Sequence, residues 1–436
     1  MIALGGALGV GLFLGSGRAI QDTGPSLILC YLVAGAVIFL MMRALGELAL
    51  YRPVAGSFAS YAEEFLGRRL GFITGWTYWL TWVVTAMAEI TAAGIYVQFW
   101  FPDIPQWVTA LVIAVVLYGL NLVSVALFGE VEFWLALIKV VTVVAVIVIG
   151  SAVLAFRLGP LGDSASVDNL WDQGGLFPKD FGSTLVALQI VMFAFVGVEL
   201  VGVTAGEAKD PERTLPRAIN SIVARILIFY VGAMAVIMSL VVWSDLPADQ
   251  SPFVVVFERI GIAGAAGIIN FVVLTAATSA CDSGIFSSGR MLYTLAEEGE
   301  APRRFGQLSK RHVPAHAITA SAIVLLVGVV INYLVPEQAF TYITSVATVG
   351  ALWTWGVIVA AHLSYRRRVR EGAVQPSSFR MPGSPVTNWI VLAFLGFVVV
   401  LLAVNEQQRV AIYAGAAWAL LIGVASVRYA RRGRAS

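Results

Sequence analysis

The sequence predicts an all-α membrane protein with twelve transmembrane helices. The chain has 436 residues, of which 59% are hydrophobic and only 12% are charged. Soluble domains carry about 25% charged residues, so this composition is typical of an integral membrane protein. Glycine also interrupts two apolar segments in corresponding halves of the chain, and such a pair predicts a binding site near the centre of the membrane.

Apolar runs of about 20 residues, the length that crosses the hydrocarbon core, recur along the chain. The predicted spans are 1–20, 26–50, 71–98, 106–127, 132–157, 182–205, 219–243, 262–288, 315–334, 339–363, 386–404 and 411–429. The segments between them are too short for an independent domain, which usually needs at least about 50 residues. We therefore expect a single transmembrane domain over residues 1–436.

Loop charge predicts the orientation of the chain. When both termini are placed in the cytoplasm, 20 of the 28 lysines and arginines fall in cytoplasmic loops or the tail, and 5 fall in outer loops or at outer span ends. Such a bias toward the cytoplasmic side is the rule for membrane proteins. An even number of spans agrees with this placement. We expect a multi-pass protein of the plasma membrane with both termini cytoplasmic.

The two glycine breaks lie in spans one and six, and this spacing predicts an inverted repeat. Residues 1–157 would form the first repeat and residues 182–363 the second, with residues 386–429 adding two further helices. Because each repeat contains an odd number of spans, the second enters the membrane upside down. The predicted fold is therefore a five-plus-five inverted repeat with broken helices 1 and 6.

The first break is rich in glycine, with Gly5, Gly6, Gly9 and Gly11 within seven positions. Glycine destabilises a helix interior by about 1 kcal/mol per residue, so an unwound stretch is expected here. The N–H groups of Val10 and Gly11 would then face the core at the start of the following half-helix, which attracts a carboxylate. Close helix packing through small residues is the alternative explanation.

The second break begins at Phe193 and ends at an intramembrane acid. The carbonyls of Phe193, Ala194 and Val196 would lie at the end of a half-helix, where they suit an ammonium group. Gly197 can supply the turn, and Val198 is placed to close over a bound side chain. Taken together, the two breaks fit a solute that carries both a carboxylate and an ammonium group.

Four ionisable side chains inside the predicted spans stand out, because charge there is costly and usually functional. Glu89 is expected to line the substrate site, with a structural role beside nearby threonines as the alternative. Lys139 is expected to be buried in place of a sodium ion and to couple transport to protons. The alternative is that its side chain snorkels to the cytoplasmic surface. Glu199 and Asp282 are also assigned to proton coupling, and Asp282 serves equally well as a helix-bending residue.

Other functional classes find no support in the sequence. The net charge is only +2, and it gives no indication of a nucleic-acid partner. The two cysteines, Cys30 and Cys281, lie in apolar runs without metal-ligand spacing, so neither a disulfide framework nor a metal site is expected. The chain also lacks a phosphate loop and a nucleophile elbow. We therefore expect no enzyme activity and no cofactor.

Two further expectations concern polar residues near the ends of the spans. The histidines His312, His316 and His362 are expected at the membrane interface. Arg43 and Glu47 are four residues apart on one predicted helix, a spacing that favours a local ion pair.

Six stretches of the chain carry a specific pattern: 1–17, 43–47, 130–139, 193–200, 207–212 and 215–220. Together they resemble the bacterial amino acid permeases of the amino acid–polyamine–organocation superfamily. The resemblance runs almost from end to end, and we expect a short start ahead of residue 1 to be missing. It implies the five-plus-five fold with two extra helices and proton-coupled amino acid uptake.

The resemblance also implies which backbone groups hold the substrate and where the proton acts. Lys139 matches the lysine that replaces a sodium site. The N–H groups for the substrate carboxylate belong to Gly9, Val10 and Gly11, and the carbonyls for the amino group belong to Ala7, Phe193, Ala194 and Val196.

Within this family, residues 75–79, 96–103 and 193–220 are most similar to the D-serine/D-alanine/glycine transporter. Residues 51–58 and 332–336 look more like L-asparagine permeases, and γ-aminobutyrate permeases fit more distantly. One departure is Asp282, where the D-serine/D-alanine/glycine pattern has asparagine; an extra acid there bears on selectivity or coupling.

These observations predict a secondary active transporter that imports small amino acids. Its partners would be the amino acid, a proton and the lipid bilayer. D-Serine, D-alanine and glycine are the first candidates, and L-asparagine or γ-aminobutyrate are the alternatives. A different class, an amino acid sensor that binds without transport, would have the same site and show binding without accumulation.

Overall fold

The structure is a computed structural model that describes residues 9–53, 57–123, 126–203 and 210–432. It is all-helical, with 79% helix, and the described residues contain no strand. The α-helices are α1 (Val10–Phe13), α2 (Gly15–Thr23), α3 (Leu27–Tyr51), α4 (Ser57–Leu66), α5 (Arg68–Gln98), α6 (Gln106–Val123), α7 (Ala126–Phe156), α8 (Phe181–Val186), α9 (Leu188–Ala194), α10 (Leu200–Val203), α11 (Pro211–Arg225), α12 (Ala233–Leu240), α13 (Pro252–Ile260), α14 (Ala265–Glu297), α15 (Ala315–Leu334), α16 (Pro336–Arg370), α17 (Val386–Val404) and α18 (Val410–Arg432).

Ten helical stretches in the described ranges are long and apolar enough to cross a membrane. The first of them, Val10–Tyr51, has 42 residues and contains a 3-10 turn at Gly24–Ser26. At 1.5 Å per residue an uninterrupted helix of that length would measure about 63 Å, twice the hydrocarbon core. A further apolar stretch, Phe181–Ala194, is shorter than a full span. The chain is thus a multi-pass membrane protein.

Two helices form where the sequence predicted loops. α4 is amphipathic and buries Phe58, Tyr61 and Phe65, and Phe58 packs edge-on against Tyr78 of α5 with the ring centroids 4.5 Å apart. α13 starts with a proline in its first turn, a position that proline favours. Both helices are only about ten residues long, so the 20-residue apolar run that reveals a span is absent from them.

α5 lies at the centre of the bundle. In its apolar window, 83% of the residues are buried inside the protein, compared with 17% for the stretch Val410–Val427. It packs against α14 and α16. A side chain on α5 can therefore carry a polar group into the middle of the protein, away from lipid.

A buried polar cluster joins α3, α16 and the segment before α17, and we call it the Glu47 cluster. Glu47 accepts hydrogen bonds from His362 Nε2 at 2.9 Å, Arg366 Nη1 at 3.0 Å and the Met381 backbone N–H at 2.6 Å. His362 Nδ1 lies 2.8 Å from Asn388 Nδ2. His362 is fully buried within the protein, near the end of α16, and its position at the membrane interface stays a prediction.

The predicted local pair between Arg43 and Glu47 also gives way to longer-range partners. The Arg43 guanidinium lies 3.7 Å from the ring centroid of Phe379 and donates to the Arg380 carbonyl. Its Nη1 donates to Asn220 at 3.2 Å. Tertiary packing supplies all three partners, which helical spacing alone does not reveal.

Candidate functional site

The first break lies at the start of α1. Gly9 is extended, with φ −108° and ψ −167°, and the helix begins at Val10. The N–H groups of Leu12 and Phe13 both bond to the Gly9 carbonyl, at 3.1 and 3.3 Å. The first N–H groups of a helix have no partner within the helix, so those of Val10 and Gly11 are directed out of it. The predicted ligand Ala7 lies outside the described residues.

The second break separates α9 from α10. The helix stops at Ala194 and resumes at Leu200, and short i to i+3 backbone hydrogen bonds close the turns between them. Gly197 has φ +101°, a left-handed conformation that glycine adopts without steric cost. The sequence VGV therefore bends the chain at this point, as its glycine predicted.

Two of the three carbonyls assigned to the ammonium group already accept a hydrogen bond. The Phe193 carbonyl accepts the Val196 N–H at 2.9 Å, and the Ala194 carbonyl accepts the Tyr230 hydroxyl at 2.9 Å. A carbonyl oxygen has two lone pairs, so each can accept one bond more. These carbonyls are held in place by their present partners and can still bind a cation.

The two breaks meet where α1 passes α9. A Cβ added at Gly11 would lie 2.6 Å from Ala194 Cα, and one at Gly15 would lie 2.8 Å from Ile190 Cγ1. Only glycine permits so close an approach of the two backbones. Gly11 thus has the packing role that we gave as the alternative explanation, and the same contact brings the start of α1 to the end of α9.

Glu89 projects from α5 to the start of α1. Its side chain is 3% exposed, and its Oε1 lies 2.9 Å from where a Cβ would stand on Gly9. The Val10 N–H points toward the same carboxylate, and Lys139 of α7 is near enough to attract it. Lys139 is 1% exposed, so it is buried and does not snorkel to the surface.

Glu199 lies at the second break and is anchored from two sides. Its Oε2 accepts the Gly197 N–H at 3.2 Å and Trp355 Nε1 of α16 at 3.2 Å. Asp282 of α14 lies apart from this pair, half-buried, with its Oδ1 2.5 Å from Asn121 Nδ2 of α6. The three residues assigned to proton coupling therefore occupy different elements, with Lys139 on α7, Glu199 in the second break and Asp282 on α14.

Val198 points into a different part of the second break. It lines a small cavity together with Val201, Ile222 and Tyr230. The cavity is apolar and lies between the break and the helices that follow it. The proposed closure of Val198 over a substrate side chain stays a prediction.

Sequence reasoning missed three aromatic residues that meet the polar groups of the site. They are Trp355 beside Glu199, Tyr230 on the Ala194 carbonyl, and Tyr96, whose buried hydroxyl faces Glu89. Tryptophan and tyrosine usually gather at the membrane interface. An aromatic residue with a polar atom well inside a span is the signal that could have found Trp355.

The two breaks bring together several groups that suit a small dipolar molecule. The described part of the chain contains no group of three histidine, cysteine, aspartate or glutamate residues placed to bind a metal ion. It offers helix N–H groups beside Gly9, carbonyls at Ala194, and buried acids at Glu89 and Glu199. Helix N–H groups suit a carboxylate, and carbonyls suit an ammonium group.

Comparison with known proteins finds similarity to amino acid permeases over the whole length of the chain. The family model for amino acid permeases matches residues 1–436. The uncharacterized amino acid permease YtnA of Bacillus subtilis (strain 168) is 50% identical over 422 residues, which cover 97% of this chain and 91% of that protein. The D-serine/D-alanine/glycine transporter of Escherichia coli (strain K12) is 47% identical over 427 residues, with coverage of 97% and 91%.

A third relative has another named substrate class. The aromatic amino acid transport protein AroP of Escherichia coli O6:H1 is 45% identical over 426 residues, which cover 97% of this chain and 92% of that protein. The resemblance seen in the sequence is thus confirmed, and the family and its named relatives are transporters and not enzymes. The chain belongs to the amino acid permease family.

Proposed function

We propose that this permease is a proton-coupled symporter that imports small amino acids across the plasma membrane, with D-serine, D-alanine and glycine as its first substrates. The observation that carries the proposal is the contact between the two breaks at Gly11 and Ala194. It places the N–H end of α1 beside the carbonyl end of α9, so that one small zwitterion can bind both. Gly9, Val10 and Gly11 would hold the carboxylate. The carbonyls for the ammonium group would come from Ala7, Phe193, Ala194 and Val196.

The proposal includes the twelve-span topology. The long stretch Val10–Tyr51 is divided at Gly24–Ser26 and counts as two spans. The three short helices α8, α9 and α10 together form one further span, which is interrupted at Gly197. Residues 1–157 and 182–363 would then form the two inverted repeats, residues 386–429 the two added helices, and both termini would be cytoplasmic.

Proton coupling is assigned to buried charges near the breaks. Lys139, Glu199 and Asp282 are the candidates, and the first two are almost completely buried. A charged group buried in a membrane protein is costly and marks a relay or a substrate path. Their positions near α1, α9 and α6 support a path in which a proton is exchanged as the breaks rearrange.

The choice of substrate rests on a resemblance and not on overall identity. The D-serine/D-alanine/glycine transporter and AroP differ from this chain by nearly the same amount, 47% against 45% identity. Sequence identity therefore favours neither small nor aromatic substrates. The small-substrate proposal follows from the local similarity of residues 75–79 and 96–103, with L-asparagine and γ-aminobutyrate as the alternatives.

The test is uptake into proteoliposomes that contain the purified full chain. We expect glycine, D-alanine and D-serine to compete with one another and to accumulate when the outside is made acidic. A protonophore should abolish the accumulation while exchange continues. Accumulation that ignores the protonophore would overturn proton coupling, and binding without any uptake would instead identify a sensor.

Substrate identity needs a matched comparison in the same vesicles. L-Asparagine, γ-aminobutyrate and L-phenylalanine should compete weakly with labelled D-alanine. Strong competition by one of them, with weak competition by glycine, would overturn the proposed substrate class but leave the transport mechanism intact.

A further inference from the structure

The carboxylate of Glu89 stands in front of the proposed binding groups for the substrate carboxylate. Its Oε1 packs against Gly9, 2.9 Å from the position of a Cβ there, and the Val10 N–H points toward it. These are the same groups at the start of α1 that would hold an amino acid. Because both ligands are carboxylates, they require the same donors and the same positive end of the helix.

Glu89 does not use its full hydrogen-bonding capacity. Its Oε2 is buried and has no hydrogen-bond partner among the described residues, and neither has the buried hydroxyl of Tyr96 on the same helix. An ionised carboxylate has about four acceptor sites, and a buried polar atom without a partner is destabilising. In a carboxylate with a purely structural role, we expect both oxygens to accept hydrogen bonds, as both oxygens of Glu47 do.

We propose that Glu89 is a built-in competitor of the substrate: it caps the start of α1, and the substrate carboxylate must displace it. The inference rests on the proposed function and specifies what Glu89 does there. It assigns Glu89 to the carboxylate end of the site and not to the substrate ammonium.

Displacement has a consequence for the proton. The titratable and charged groups that face Glu89 come from three helices, namely Lys139 on α7, Tyr96 on α5 and Cys281 on α14. Lys139 is the cation among these groups. A displaced Glu89 either takes up a proton or turns toward Lys139, because two carboxylates cannot share one buried site as anions. Substrate binding would thereby be linked to a proton at the same site.

The sign of the change in affinity tests the inference. We would measure binding of labelled D-alanine to the purified full chain in nanodiscs, for wild type and Glu89→Gln. A neutral amide is a weaker competitor than a carboxylate, since charge-assisted hydrogen bonds are about twice as strong. We expect D-alanine to bind about tenfold more tightly to Glu89→Gln and its binding to lose most of its pH dependence. Weaker or unchanged binding overturns the inference.

A ligand without a carboxylate separates the competitor from an ammonium-binding residue. D-Alaninamide keeps the ammonium group but cannot replace Glu89 at the helix start. We expect its affinity to change less than twofold in Glu89→Gln. A loss of affinity for both D-alanine and its amide would mean that Glu89 binds the ammonium, and would overturn the inference.

A second variant covers the case in which Glu89→Gln misfolds. Glu89→Asp keeps the charge near Lys139 but withdraws the carboxylate from Gly9 by one methylene, so D-alanine should again bind more tightly. Glu258→Gln, at an exposed position of α13, is the matched control for the same chemical change. If the wild-type protein binds no amino acid at all, the proposed function fails. If it binds D-alanine but the affinity changes in the wrong direction, only the inference about Glu89 fails.

Discussion

Two buried glutamates of this permease lie in opposite kinds of surroundings. Glu47 is 1% exposed and receives bonds from an imidazole, a guanidinium and a backbone amide. Glu89 is 3% exposed, yet its Oε2 has no hydrogen-bond partner in the described ranges. Burial is nearly equal, so burial does not distinguish the two residues. The number of donors around each carboxylate does.

This difference separates a residue that holds the fold from a residue that can change partners. A buried carboxylate whose two oxygens both accept hydrogen bonds rigidifies the structure around it. A carboxylate with spare acceptor capacity can exchange one partner for another at little cost. The Glu47 cluster therefore fixes α3 against α16, whereas Glu89 has the spare acceptor capacity that the proposed exchange with a substrate carboxylate requires.

The largest expected effect comes from removing the Glu47 carboxylate. Glu47→Ala leaves Arg366 and His362 without their common acceptor, and breaking a buried ion pair in this way lowers the free energy of unfolding by about 3–5 kcal/mol. Glu89→Ala removes fewer hydrogen bonds and should therefore lower the free energy of unfolding by less than Glu47→Ala. Equilibrium unfolding in detergent micelles measures both.

An exposed pair serves as the control for Glu47→Ala. Glu371 bonds to Arg367 at 2.8 Å, with both side chains more than half exposed. Exposed pairs contribute about 0–1 kcal/mol, so Glu371→Ala should be nearly neutral. Equal losses for Glu47→Ala and Glu89→Ala would show that donor count does not separate the two glutamates.

The next effect concerns the cation beside Glu89. Lys139→Ala removes the positive charge that attracts the Glu89 carboxylate, and we expect proton-driven accumulation of D-alanine to fall at least about tenfold while some binding survives. Counterflow and binding assays on the same preparation separate the two. Lys179→Ala, which changes an exposed lysine, is the control. Normal accumulation by Lys139→Ala would remove this residue from the coupling mechanism.

A smaller effect is expected at Glu199. This carboxylate accepts two hydrogen bonds, fewer than Glu47, and both come to its Oε2. Trp355→Phe removes the 3.2 Å bond to Oε2 and keeps most of the ring. A hydrogen bond to a charged group contributes about 1.5–3 kcal/mol, so a loss near the lower value is expected because the Gly197 N–H remains. Thermal unfolding and D-alanine uptake of Trp355→Phe measure it. Unchanged stability together with unchanged uptake would argue against an anchoring role for Trp355.

The sequence predicted the apolar spans well where strong boundaries flank them. α15 and α17 coincide with the predicted 315–334 and 386–404, because Pro314 and Pro385 precede long apolar runs there. The short helix α4 was missed, and so was the π-helix Ile226–Gly232 that carries Tyr230. Neither leaves a mark in the apolar pattern. α4 is too short for an apolar span, and a π-turn with i to i+5 hydrogen bonds lies inside a stretch of helix that stays apolar.

The candidate site shows the same division. Its backbone parts, Gly9 to Gly11 and the bend at Gly197, could be predicted because glycine reports on backbone geometry directly. The partners of the buried acids could not be predicted, because Trp355 and Lys139 come from helices far away in the chain. Which donors surround Glu47 and which surround Glu89 depends on packing, so their contrast became visible only in the structure.

A third carboxylate, at the surface, gives the smallest expected effect and extends the comparison to a measurable pH range. Glu300 follows α14, and burial raises its pKa to about 7 from an ordinary 4.5, with the nearby carboxylates Glu298 and Glu63 acting in the same direction. The Tyr429 hydroxyl, which Arg68 also contacts at 2.8 Å, bonds to Glu300.

A raised pKa means that the folded protein binds a proton that the unfolded chain has already released. Stability due to Glu300 is therefore complete below about pH 4.5 and declines as the pH rises toward about 7. Glu300→Gln should flatten this part of the curve of Tm against pH without altering D-alanine uptake. The same slope in Glu300→Gln as in wild type would show that the carboxyl keeps its ordinary pKa. Because Glu300 is partly exposed, its contribution to stability should remain well below that of Glu47. This difference is expected if the contribution of a carboxylate depends on the number and burial of its partners.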